Sequence, residues 1–87
     1  MAAGDPTIVA VPAGAWKKVA TNVTSGRISI LSPVNDDWYQ TQKATGGGAP
    51  TVAPEVKLDF QKNIIDSAVA IDVYVYVKNT AGRVEVI

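Results

Sequence analysis

Acid–base chemistry in this chain would have to come from carboxylates, lysines and tyrosines alone, because the sequence contains no Cys and no His. Nucleophilic arrangements of the Ser-His-Asp or Cys-His type therefore lack their base, and a structural zinc site lacks its usual ligands. Asp36-Asp37 is the one adjacent carboxylate pair. Paired carboxylates can hold a hard cation or share acid and base roles. Here only Asn35 stands beside them, after Ser32-Pro33-Val34, and the segment reads first as a turn, with weak Ca²⁺ binding as the rival reading. Gly46-Gly47-Gly48 has the composition of a phosphate-cradling loop but not its sequel. Ala49-Pro50 follows, where a phosphate site needs set glycine spacing, a helix N-terminus and usually Lys-Ser/Thr.

What remains is binding chemistry. The aromatics are Trp16, Trp38, Tyr39, Phe60, Tyr74 and Tyr76. Tyr74 and Tyr76 share one face of an alternating run, opposite a Val/Ile row. Two readings stand: a platform that stacks on sugars or on a partner protein, or cross-strand packing on the second face of a thin sheet structure. Trp16 and Trp38 lie next to Lys or Asp and read as partly exposed. Tyr and Trp are enriched at interface hot spots. Asp72 shares the Tyr74/Tyr76 face and marks it as wet or paired with a cation, with Lys57, Arg27 and Arg83 as the expected partners. Asn22-Val23-Thr24 fits the glycosylation pattern but also fits a strand end running into a turn.

The elements that must position these groups are strands. Val69, Ile71, Val73, Val75 and Val77 alternate with Ala70, Asp72, Tyr74 and Tyr76. Lys78 to Gly82 reads as a turn, and Val84 and Val86 alternate with Arg83, Glu85 and Ile87. This predicts strand, turn and strand, a C-terminal hairpin whose edge is open to augmentation. Upstream, Thr7–Val11 is a β-rich run stopped by Pro12 and Gly14. Trp16–Val23 and Arg27–Ile30 read as two strands joined through a Thr24-Ser25-Gly26 turn. Trp38–Gln42 is a short polar strand, and Val56–Gln61 alternates with Val56, Leu58 and Phe60 inward. Ile64–Ala68 reads as a wide loop, a bend or one helical turn. The prediction is a single all-β domain over 1–87, a small antiparallel β-sandwich or compact barrel of about six to seven short strands. It carries a short N-terminal arm (1–6) and an exposed Gly/Pro-rich loop (44–54), where Gly46 to Gly48 resist ordering and Pro50 and Pro54 favour extended backbone.

Composition narrows the partners. The sequence has 87 residues, with eight Lys plus Arg against eight Asp plus Glu. Such balance gives no electrostatic footprint for nucleic acid, and Lys17-Lys18, the one basic pair, reads as a solvated strand edge. No apolar run is long enough for a helical membrane span. Met1 to Pro6 lacks the basic region and apolar stretch of a secretory signal, so synthesis in a cytoplasm without export by that route is expected. With no disulfide and no metal to staple a small core, self-association is the expected source of added stability.

Taken together, Thr21 to Ile30, Trp38 to Thr41, Gly46 to Thr51, Ala70 to Val77 and Gly82 to Val84 give the chain a style and order that resembles small all-β virion proteins of tailed bacteriophages. The resemblance covers nearly the whole chain without a diagnostic motif. It implies a structural role with no catalytic residues, no cofactor and no metal. It also implies residence in the virion after synthesis in the host bacterial cytoplasm, and assembly as a homo-oligomer, a trimer first. Capsid decoration by bridging shell subunits, with the major capsid protein or another virion protein as partner, is the leading expectation. A tail or fibre-attachment component is the alternative within the family, and a carbohydrate-binding module the alternative outside it. The expected partner interface comprises Trp38, Tyr39, Gly46, Gly47, Gly48, Pro50, Pro54, Tyr74 and Tyr76.

Overall fold

The computed structural model describes residues 7–46, 48, 50 and 64–87. The expected strand Val56–Gln61 and the arm 1–6 lie outside the described residues. Five strands run in chain order: β1 Thr7–Val11, β2 Trp16–Ser32, β3 Trp38–Ala44, β4 Ile64–Val77 and β5 Gly82–Val86. They form one open antiparallel sheet in the order β1-β5-β2-β4-β3. No helix occurs among the described residues. The all-β, antiparallel expectation therefore stands, while among the described residues the arrangement is a single open sheet in place of a closed barrel or two separate sheets.

The most consequential difference from the sequence expectation is β2. Thr24-Ser25-Gly26 is not a turn: the chain continues through it as one strand of 17 residues. The first part of β2 pairs with β4, from Trp16↔Tyr76 to Arg27↔Ile64. The second pairs with β5 on the other edge, from Ile28↔Val86 to Ser32↔Arg83. Register shifts between Lys18 and Ala20, Ala20 and Val23, and Val23 and Ser25 add the twist and bend that bulges impose on a strand. Asn22 sits at φ 56° within this stretch, a left-handed conformation that Asn tolerates better than most residues. Gly26 has φ +151°, and a Cβ there would lie 2.7 Å from the Ile87 carbonyl oxygen. Glycine thus serves close strand approach here, because Arg27 and Ile87 exchange both backbone bonds beside it, at 3.1 and 3.0 Å.

The C-terminal strands are also correct as strands and different in pairing. β4 and β5 do not form a hairpin. β4 lies between β2 and, along Ile71–Val77, β3, while β5 lies between β1 and β2, so the expected two-strand C-terminal edge is not formed. Ile64–Ala68, expected as a loop, bend or helical turn, is the first part of β4. Val69, expected inward, is 66% exposed.

One core joins both parts of the sheet. Val11 of β1, Val19, Ala20 and Ile28 of β2, Trp38 of β3, Ile65, Ile71, Val73, Val75 and Val77 of β4, and Val84 of β5 are buried together, with Val9, Val23, Ile30 and Val86 packed against them. Burying each Val or Ile contributes about 1.5–3 kcal/mol. At the corner where β2 leaves for β3, the Trp38 indole N–H donates to the Pro33 carbonyl at 2.8 Å, beside the cis Ser32–Pro33 bond. Gly82 passes so close that a Cβ would fall against the Ser32 carbonyl and 2.7 Å from the Trp38 ring.

Candidate functional site

The face of β2-β4-β3 opposite the Val row carries the binding chemistry. Register places Trp16, Tyr76 and Tyr39 side by side on three adjacent strands. The Trp16 and Tyr76 ring centroids are 5.3 Å apart with planes at 56°, and those of Tyr76 and Tyr39 are 6.3 Å apart at 67°. These tilted, edge-on contacts are the ones aromatic rings prefer when they pack on each other. A sugar-stacking platform would need faces turned outward together. All three rings are half-buried. The next row is Lys18, Tyr74 and Thr41. The Lys18 ammonium stands 5.8 Å from the Tyr74 ring centre, within cation–π range.

Asp72 ends this row system and is 1% exposed. The bulge in β2 turns the Asn22 backbone N–H onto it at 2.9 Å. The Gly46 N–H reaches its other oxygen at 3.4 Å, and Lys18 Nζ lies 3.4 Å from that same oxygen. The Asn22 hydrogen bond lowers the Asp72 pKa most. Burial pushes it up, and Gly46 and Lys18 bring the balance below the ordinary 3.8. The cation is therefore Lys18. Arg27 and Arg83, expected as partners, form no ion pair with it among the described residues, and Lys57 lies outside them. The carboxylate fixes the β2 bulge and the start of the loop after β3 against β4.

Asp36 does the same at the opposite end. Its carboxylate accepts from the N–H groups of Asp37 at 2.7 Å, Thr80 at 2.7 Å and Asn79 at 3.2 Å, and from the Asn79 side-chain amide at 2.9 Å. Burial raises its pKa, but these donors together hold it below 3.8. The Lys78 N–H donates to the Asp37 carbonyl at 3.0 Å. Asp36 is thus the clasp between the β2–β3 loop and the β4–β5 turn, the turn role given first for this pair. Among the described residues no three His, Cys, Asp or Glu side chains are grouped to hold a metal ion.

Among the described residues, the expected interface residues differ in exposure. Trp38 is 1% exposed and Tyr74 3%, so neither ring faces solvent. Trp38 looked exposed in sequence because Asp37 and a polar strand flank it, but it shares the core face of β3 with Val77 as its neighbour. Tyr39 and Tyr76 are half-buried, Gly46 and Gly48 exposed and Pro50 half-buried. Gly47 and Pro54 lie outside the described residues. Trp16 completes the aromatic row. Its place was hidden because the row depends on β2–β4 register, which no local pattern encodes.

Comparison with protein-family models, with curated proteins and with solved structures gives no match.

Proposed function

We propose that this chain is a non-enzymatic structural protein of a tailed-bacteriophage virion, decorating the capsid and opposing separation of the shell subunits it bridges. The observation that carries the reading is apolar surface on the outer face where β1, β5 and β2 adjoin the start of β4. By register Ile8 stands beside Glu85 and Ser29, and Ile87, Arg27 and Ile64 form the next row. Ile8 is 60% and Ile64 59% exposed. Exposed aliphatic groups set among polar ones are what a protein-docking surface presents. In this reading the bent sheet is a sandwich-like body with two outward faces, and the half-buried Trp16, Tyr76 and Tyr39 row lies on the second. Two faces suit a part that touches more than one neighbour, and zero formal net charge limits repulsion among crowded copies.

The test is mass spectrometry and gel quantitation of purified phage particles from cells in which the chain is made with the rest of its virion. A copy number comparable to that of the shell protein, falling when Ile64→Asp is introduced, supports decoration. A low copy number that stays with isolated tails moves the protein to the tail. Absence from particles overturns the proposal.

A further inference from the structure

We infer that two copies of this chain pair antiparallel through the outer edges of β3, about a two-fold axis at Thr41. Three observations carry this. First, β3 is a sheet edge whose outer side has no strand against it among the described residues. Second, Gln40 lies on the core face of β3, opposite Val75, and its Oε1 is buried with no hydrogen-bond partner. An orphaned buried acceptor costs free energy, so native proteins seldom leave one. Third, the strand is self-complementary in one register. An axis at Thr41, the middle of the seven residues of β3, pairs the whole strand with its copy. It sets Gln40 against Gln42 of the second copy, on the same face and at directly opposed positions, where Cβ atoms stand about 4.5–5.5 Å apart. A swing of the half-buried Gln40 side chain toward the edge then brings its Oε1 out of the core to the Gln42 amide of the second copy, which supplies the N–H it lacks. Tyr39 meets Lys43 of the second copy, a ring with a cation, and Thr41 meets Thr41. No like charges are opposed.

The outermost strand at the opposite end of the sheet is a poorer candidate. β1 has five residues and runs into Pro12, and short edges stopped by proline are the ones that resist pairing. A contact of this kind is isologous and yields dimers, in place of the trimer that the virion resemblance implies. It stands on the residues of β3 and does not depend on the virion reading.

The experiment is light scattering of the full-length chain across concentrations, with T41K, T41E and Q42A and with near-UV circular dichroism as the check on folding. Thr41 is half-buried and Gln42 exposed on the edge, so these side chains can change with the core intact. The expected result is a dimeric parent, half that mass for T41K and for T41E separately, recovery of the dimer when the two are mixed, and a weakened dimer for Q42A. A monomeric parent overturns the inference. So does a dimer that T41K leaves whole, including one lost instead on Ile8→Lys. If both Thr41 variants fail to fold, an unchanged dimer in Q42A overturns it.

Discussion

Asp36 shows how much a single side chain can hold in place. One carboxylate takes hydrogen bonds from three backbone N–H groups and one amide across two loops. Both Asp36 and Asp72 have pKa values below 3.8, so the folded chain binds these protons more weakly than the unfolded chain does. Their stabilisation is complete above pH 3.8 and is lost as pH falls through the lower folded values. Thermal melts from neutral pH down to about 2 should be flat first and then fall steeply. Asp36→Asn should lower the neutral plateau and soften the acid fall; an unchanged acid limb would contradict the clasp. Trp38→Ala should cost about 3–5 kcal/mol in urea unfolding, as large core truncations do. A surface residue would cost a small fraction of that. Tyr74→Ala should unfold the protein more readily than Tyr76→Ala, because Tyr74 is 3% exposed while Tyr76 is only half-buried. Equal melting temperatures for the two variants would refute that order.

At the scale of elements, β2 decides the architecture. Its bend allows one strand to serve β4 on one edge and β5 on the other. Amide hydrogen exchange checks this directly: the Arg27 amide, bonded to the Ile87 carbonyl, should be as protected as core amides, whereas a hairpin turn at Thr24–Gly26 would leave it fast. Gly26→Ala and Gly82→Ala should each destabilise by more than about 1 kcal/mol, since an added Cβ meets backbone at both sites. What could be read from sequence follows the same division. The period-two runs of β4 and β5 and the polar β3 were legible because alternation is local. The continuity of β2 was not, because Thr-Ser-Gly signals a turn to any local reading, while Gly26 was needed for an approach by Ile87, far along the chain. Asp36 was legible as a turn residue. Its acceptance from Asn79 and Thr80 was not, since those donors lie beyond any short spacing rule.

Across the whole molecule the core is shared between two parts of one sheet, with Val11 and Val84 from one and Trp38, Val75 and Val77 from the other. Unfolding should therefore be a single cooperative transition, with Trp fluorescence and far-UV circular dichroism coinciding. Separate transitions would mean that the two parts are independent.

The strand order carries a further consequence, for the time course of folding. β1 is made before β5, yet among the described residues β5 is its one strand partner, and the second part of β2 also waits for β5. While the chain is being synthesised, β1 and Ile28–Ser32 remain without the strand that joins them. Loop closure over nearly the whole described length must precede their pairing, a demand that slows folding relative to chains built from local contacts. During that interval the exposed β1 edge is available to other nascent chains. A cell producing many copies at once therefore gains from any neighbour, chaperone or assembly site that holds Thr7–Val11 until Gly82–Val86 arrives.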